Sequence, residues 1–326
     1  MSGTAEPTAM MPLRVASRRP LAHDIVLFHL VPEAGADLLP AFDAGAHVVV
    51  MTPAGLTRRY SLCNTPGERH RYEIAVKREA QGLGGSRSLV DQVQVGDRLP
   101  VGRPENFFPL DAHAQRFLVV AGGIGITPIV AMLRALQGGP RPFELVYCAR
   151  SPEATAFADE LRAPALAPHC RLHHDLGDPA RAFDFAPLLA EPAPGTHLYC
   201  CGPVPLMQSV RALSRHWPAG TVHFEDFGAR PTAAPTPPSK EQAFTVRLAR
   251  SGLEVPVAAG TSILQALRDR GLPAPSSCES GTCGACRTPV VEGLPEHRDY
   301  VLDEDAADEI MICVSRARSP LLVLDL

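Results

Sequence analysis

The chain has 326 residues, enough for two or three domains with sizeable cores. Mean hydropathy is near zero, no apolar run approaches the length needed to cross a bilayer, and a net charge of −4 offers no basic field for nucleic acid. The opening Met1 to Pro7 stretch lacks the apolar core of a signal peptide, so the chain is expected in the reducing cytoplasm, with neither membrane nor nucleic acid as partner.

The first part, residues 1–113, shows short strands with turn signals at 24–30, 47–51, 72–77 and 97–101, and one helical patch near 88–95. That spacing predicts a small antiparallel β-barrel. Within it, Arg58-Arg59-Tyr60-Ser61-Leu62 reads as a strand that sends Arg59 and Ser61 to one side and Tyr60 to the other. A flat isoalloxazine needs a ring to lie against and donors for its carbonyls and phosphate, which Tyr and Arg supply. Taken alone the string is weak, since most such strings are structural. Downstream, Gly82-Leu83-Gly84-Gly85-Ser86 precedes the helical patch, an arrangement in which backbone N–H groups and a positive helix end hold a phosphate.

From Arg116 the pattern changes to continuous apolar runs at 117–121, 144–148 and 197–201, alternating with helical stretches. This predicts a doubly wound α/β domain over 114–229. Ala121-Gly122-Gly123-Ile124-Gly125-Ile126-Thr127-Pro128 follows the first of these strands as a phosphate-approach loop, with Thr127 suited to the N-cap and Pro128 to the first turn. Its glycine spacing departs from the dinucleotide fingerprint, and a tight turn without ligand is the plainer alternative. Cys201-Gly202-Pro203 ends another buried strand at the same carboxyl edge. His173-His174-Asp175 reads as structural, because adjacent histidines on a strand point oppositely, and Trp217, Cys63, Cys148 and Cys170 read as packing.

A Pro-rich segment at 230–240 reads as an extended linker. Beyond it, 241–326 shows two strands, a helix from Ser262 to about Arg270 stopped by Gly271, and then a cysteine loop, the order of a ferredoxin β-grasp fold. Cys278, Cys283, Cys286 and Cys313 have the spacing of a plant-type [2Fe-2S] site, with Gly281 and Gly284 giving the backbone its freedom. Zinc ribbons pair two Cys-x-x-Cys knuckles where only one occurs here, and nine cysteines would leave one unpaired in a disulfide framework. The same segment holds thirteen acidic residues against eight arginines and no lysine, so the chain's negative charge is concentrated there. Such a face solvates the domain and also suits docking to a redox partner.

Taken together, Arg58-x-Tyr60-Ser61-Leu62, Gly84-Gly85-Ser86, Gly122 to Pro128, Tyr199 to Pro203, His223-Phe224-Glu225 and Cys278 to Cys286 resemble the phthalate dioxygenase reductase family over nearly the whole chain. The resemblance implies FMN, NADH and a [2Fe-2S] cluster in three successive modules. Arg58, Arg59, Tyr60 and Ser61 would then contact the flavin, Ala75, Val76 and Lys77 line its ring, and Gly84, Gly85 and Ser86 hold its phosphate. Gly122, Gly123, Gly125, Cys201, Gly202 and Pro203 would hold the nucleotide, and Arg150 the region of its adenosine ribose. Thr127, Cys201 and Phe227 would sit at the hydride-transfer centre, and the four cysteines would ligate the cluster. Arg59 and Leu83 depart from the family's pattern, and Ser151 follows Arg150 where an acidic residue can stand, so NADPH is less firmly excluded.

The activity implied is hydride transfer from NADH, then single-electron delivery to a terminal Rieske oxygenase docking near the acidic domain, by a chain working as a monomer. The flavin reconciles the two-electron donor with the one-electron acceptor. A reductase of a vanillate-type O-demethylase, or a redox sensor without turnover, stays open beside it.

Overall fold

Strand-forming residues dominate the first hundred positions, and in the computed structural model they build one curved antiparallel sheet. The structure describes residues 10–33, 38–227, 242–276, 279, 281, 284–302 and 306–326. The predicted linker at 230–240 and both Cys278 and Cys283 lie outside the described residues. The chain divides into two units, Met1–Glu225 and Asp226–Leu326.

The first sheet comprises β1 (Met11–Ala22), β2 (Ile25–Pro32), β3 (His47–Met51), β4 (Thr57–Ser61), β5 (Tyr72–Lys77) and β6 (Arg98–Val101), ordered β4-β3-β6-β1-β2-β5. Its two edges meet just past the end of β4, where Leu62 bridges Ile74 and the Cys63 N–H donates to Glu73 O at 2.8 Å, so the sheet closes. Val15, Phe28, Leu30, Val48, Val50, Ile74 and Val76 fill its interior. Helix α1 (Gly85–Gln92) packs on β4 and β5. It starts three residues earlier than the helical patch predicts and stops before Val93, which is already extended and leads into a turn at Gly96, with φ at 99°.

The second half of the first unit alternates β7 (Arg116–Gly122), α2 (Ile126–Leu136), β8 (Phe143–Ala149), α3 (Ala158–Leu161), β9 (Cys170–His174), α4 (Ala186–Leu189), β10 (Thr196–Cys201), α5 (Val204–Leu213) and β11 (Val222–Glu225). All five strands are parallel, in the order β11-β10-β7-β8-β9. The chain therefore reverses its direction of travel between β7 and β10, which opens a crevice at their carboxyl ends.

In the second unit, β12 (Phe244–Leu248), β13 (Glu254–Val257), α6 (Ile263–Arg268), β14 (Arg287–Glu292), β15 (Pro295–Glu296), β16 (Glu309–Met311), β17 (Arg316–Ala317) and β18 (Leu321–Leu324) follow. The main sheet runs β13-β12-β18-β14-β16, with β12 and β18 parallel, and β15 pairs with β17. Ser262 caps α6, its hydroxyl accepting from the Gln265 N–H at 3.1 Å, and Gly271 ends the turn with φ at 67°. Ile263, Leu264 and Leu267 of α6 are buried against Val246, Val255 and Ile310. The fold is thus multidomain: an antiparallel barrel, a parallel α/β sheet and a β-grasp module. Among the described residues no helix is long and apolar enough to cross a membrane.

Candidate flavin, nucleotide and cluster sites

Strand β4 presents its residues alternately, as its period requires. Arg58 and Tyr60 share one side and are half-buried, whereas Arg59 is exposed and Ser61 fully covered. Burial pushes the Tyr60 phenol up to about 12, so it stays protonated as a donor. The Arg58 stem lies over the start of α1. A Cβ added to Gly85 would sit 3.1 Å from Arg58 Cγ, so glycine there lets the arginine cross the helix end.

Gly84, with φ at 97°, is the N-cap residue of α1, and no side chain caps the first turn, which leaves its N–H groups for a ligand. Gly85 and Ser86 are its first two residues; the Ser86 hydroxyl accepts from the Glu79 N–H at 3.1 Å. Leu83, beside this turn, is 85% exposed. Ala75 and Val76 of β5 are buried, and Lys77 is exposed and paired with Glu79 at 2.6 Å. Because α1 packs on both β4 and β5, Arg58 to Ser61, Ala75 to Lys77 and Gly84 to Ser86 share one neighbourhood. The Ser61 Oγ is buried and has no hydrogen-bond partner among the described residues. A buried hydroxyl left so is costly, and a flavin heteroatom is the kind of partner it lacks, so these residues fit that group.

The turn Gly123–Gly125 leads from β7 directly into α2. That overturns one detail: Gly125, not Thr127, is the N-cap residue, since the turn winds straight into the helix. Thr127 is the second helical residue, 2% exposed, with its hydroxyl donating to Ile124 O at 3.0 Å. The glycines are explained by the crevice itself. A Cβ on Gly125 would overlap the carbonyl of Cys201 and come within 2.8 Å of the Gly202 nitrogen, and one on Gly122 would meet Pro203 Cδ at 2.6 Å. Gly122, Gly125, Cys201, Gly202 and Pro203 are therefore brought together at the reversal between β7 and β10. Gly123, at φ 53°, faces open space, and its carbonyl accepts from the Tyr147 hydroxyl at 3.0 Å. The same turn packs on β5, so the nucleotide loop adjoins the strand expected to line the flavin.

Arg150 is exposed at the end of β8. Next to it the Ser151 hydroxyl bonds the Glu153 carboxylate and holds it below the usual range. An acidic group does stand at this edge, two residues later than the family's pattern places it. Phe227 follows β11 by two residues and belongs to the second unit.

In the second unit Cys286 and Cys313 are both buried, with Sγ atoms 3.1 Å apart. Two thiols at that distance are suited to sharing one iron, so they fit a cluster. Gly281, at φ 75°, lies so close to Val314 and Asp299 that a Cβ would come within 3.0 Å of both. The Asp299 carboxylate accepts from the Val301 and Leu302 N–H groups at 2.9 and 2.7 Å and from the Ser315 hydroxyl at 2.8 Å, fastening the segment beside Gly281 to the residue two after Cys313. Arg268 of α6 pairs with Glu279 at 2.6 Å, holding the loop from its other side.

Sequence reasoning passed over Asp299, Ser315 and Glu153, and also Arg134, whose guanidinium joins α2 to the barrel. None carries a local motif; a buried carboxylate shows its partners only after folding. His173 and His174 do point apart, to Arg181 O at 2.7 Å and Thr155 Oγ1 at 2.9 Å, and Trp217 is buried with its N–H donating to Leu189 O. A cavity of about 540 Å³ opens at the opposite, amino-terminal edge of the parallel sheet, lined by Arg116, Phe143, Arg171 and Trp217, well away from these loops.

A closed barrel, a parallel sheet with a glycine loop at its reversal and a cysteine-bearing β-grasp module define a modular oxidoreductase of the electron-transfer class. Residues 119–212 match the family described as oxidoreductase NAD-binding domain, and residues 246–318 match the 2Fe-2S iron-sulfur cluster binding domain. The chain is 52% identical to the phthalate 4,5-dioxygenase oxygenase reductase subunit of Pseudomonas putida, over 96% of each chain. It is 42% identical to the vanillate O-demethylase oxidoreductase of the same organism, over 96% of this chain and 98% of that one. A solved phthalate dioxygenase reductase, described as a modular structure for electron transfer from pyridine nucleotides to [2Fe-2S], superposes with a TM-score of 0.70 at 50% identity, covering 97% of this chain and 98% of its own. The chain belongs to the phthalate dioxygenase reductase family.

Proposed function

We propose that the chain is the NADH-dependent reductase component of a Rieske-type aromatic oxygenase, with modules for FMN at 1–113, NAD at 114–229 and [2Fe-2S] at 241–326, joined to the last by a linker at 230–240. The packing of the Gly123–Gly125 turn on β5 carries this reading, because it sets a nucleotide loop beside the strand that lines the flavin face. When bound, FMN and the cluster turn the hydride pair of NADH into single electrons.

The chain's own residues orient and shield. Tyr60 offers a ring face and a protonated hydroxyl, the Ser61 Oγ gains the partner it lacks, Ala75, Val76 and Lys77 line the ring, and Arg58 and Arg59 supply positive charge. Gly84, Gly85 and Ser86 hold the phosphate at the start of α1. Gly122, Gly123, Gly125, Gly202 and Pro203 keep the nucleotide crevice open, with Arg150 at its adenosine end. Thr127, Cys201 and Phe227 position the nicotinamide and exclude water, and no side chain needs to act as general acid or base. Cys278, Cys283, Cys286 and Cys313 ligate the cluster.

The oxygenase docks on the acidic second unit, and the chain works as a monomer in the cytoplasm; mixing with candidate oxygenases and sizing the complex tests both. The aromatic substrate binds the oxygenase, so O-demethylation and dioxygenation are separated only by which partner restores turnover. The primary test is NADH added anaerobically to the flavin- and cluster-loaded protein, followed by cytochrome c reduction. Bleaching of the flavin absorbance and rapid cytochrome reduction are expected. A flavin left unbleached would refute the reductase reading, and bleaching without onward reduction would favour a sensor.

A further inference from the structure

Asp111, His197 and His223 converge away from the nucleotide loops. His197 is the second residue of β10 and His223 the second of β11, and parallel pairing sets His223 opposite Tyr199. Residues 197 and 199 share a face, so His223 stacks on Tyr199 at 4.3 Å while its ring lies 5.3 Å from that of His197. Asp111 arrives from the connection between β6 and β7. Its N–H donates to the Tyr199 hydroxyl at 2.7 Å, its carbonyl accepts from Arg141 at 3.1 Å, and its Oδ1 accepts from the His113 N–H at 2.7 Å. These bonds hold the carboxylate with Oδ2 turned to the histidines.

Three ligand atoms result, all within 4.8 Å of one another. His197 Nδ1 stands 3.0 Å from His223 Nε2 and 3.9 Å from Asp111 Oδ2. An Nδ1 atom carries one proton or one lone pair, so it cannot serve both neighbours by hydrogen bonding. One cation can. Bonds of about 2.0–2.1 Å in a tetrahedral shell place ligand atoms about 3.3 Å apart, between the two distances observed. The His197 side chain is 12% exposed and that of Asp111 31%, so the site is sheltered yet open to a water as fourth ligand.

We propose that Asp111, His197 and His223 form a binding site for a divalent d-block cation of the zinc class, which fastens the connection between the barrel and the parallel sheet to that sheet's edge. Two imidazoles and one carboxylate suit such an ion. They are too few in oxygen for calcium or magnesium, and they lack the sulfur preferred by copper(I). The site is separate from the hydride-transfer centre, because four residues of extended strand, about 13 Å, lie between His197 and Cys201. It depends on neither flavin nor cluster.

The test titrates Zn²⁺ into the flavin- and cluster-loaded protein against a chromogenic chelator, with thermal unfolding measured in parallel and Mg²⁺ as the control. One equivalent of Zn²⁺ retained, with a rise in Tm that Mg²⁺ does not produce, is expected. His197→Ala and His223→Ala should each weaken retention by at least roughly tenfold and abolish the rise, with a smaller loss for Asp111→Asn. If the alanine variants unfold, His223→Gln, which keeps a hydrogen-bonding group beside His197, is compared instead. No retention by the unsubstituted protein, or equal retention in the unsubstituted protein and the folded variants, would overturn the proposal.

Discussion

Arg134 lies on α2, yet its guanidinium is spent on holding that helix to the barrel. It donates to both Glu160 oxygens at 2.7 Å, to the carbonyl of Cys63 at 2.6 Å and to Glu73 Oε2 at 3.2 Å. Its side chain is 20% exposed and that of Glu73 only 6%. Replacing it with methionine keeps the stem packed and removes the four bonds. Breaking a buried pair by deleting one partner costs about 3–5 kcal/mol, because the other charge stays behind. Here Arg71, 2.9 Å from Glu73, retains part of the neutralisation and Glu160 can reach water, so the lower end, about 3 kcal/mol, applies. For a unit of this size that is a fall in Tm of about 6–12 °C. The assay is thermal unfolding followed by release of flavin fluorescence, which reports the first unit. Since Cys63 is two residues past Ser61, and α2 begins at the nucleotide loop, NADH-driven flavin reduction should slow as well. Arg134→Lys keeps the charge but not the planar fork and should fall between. A shift below about 2 °C for Arg134→Met would refute the reasoning, because it would mean that Arg71 alone satisfies Glu73.

Gly125→Ala and Gly123→Ala should differ in a direction that backbone angles alone would not suggest. Gly123 has φ at 53° but open space, so alanine costs about 1–2 kcal/mol of strain; Gly125 has φ at −62° but its added methyl overlaps Cys201, so NADH affinity and yield should fall further, as calorimetry and expression would show. Ser61→Ala removes a buried hydroxyl with no hydrogen-bond partner among the described residues, so the flavin-free protein should melt at the same temperature or higher while FMN dissociates about 2–10-fold more readily, read by fluorescence titration. Burial pushes the thiols of Cys63 and Cys148 up to about 12 and that of Cys170 to about 11, so all three should resist iodoacetamide at mildly basic pH until the protein is denatured, as peptide mapping would reveal. Glu153→Gln should raise kcat/KM for NADPH with little change for NADH, because it removes the carboxylate beside Ser151 that repels a 2′-phosphate; an unchanged ratio would place the ribose elsewhere.

What was legible in the sequence was what repeats locally. The switch from alternating to continuous apolar runs separates the sheet built from β1–β6, half-solvated, from the parallel sheet of β7–β11, covered on both faces, since each pattern states how many faces a strand buries. The glycine loop was legible too, but the reason for its glycines was not. Gly125 is small because Cys201, 76 positions away, presses on it, and only the strand order β10-β7 brings the two together. The helix start was misplaced for the same cause: Thr127 has the chemistry of an N-cap, and the geometry is decided instead by a turn wedged against β10. Long strands with polar interruptions were missed; β1 runs from Met11 to Ala22 through Arg14, Ser17, Arg18 and Arg19, and its strand character rests on register with β2 and β6 rather than on its own composition. Arg134, Asp299 and the Asp111–His197–His223 group belong to this second kind. The partners of Arg134 and of the histidine group are distant in sequence, and Asp299 adds the distant Ser315 to its near neighbours Val301 and Leu302. Each is a common residue in an ordinary local setting, and their charge or ligand capacity becomes informative only once folding has decided which polar atoms share a buried space.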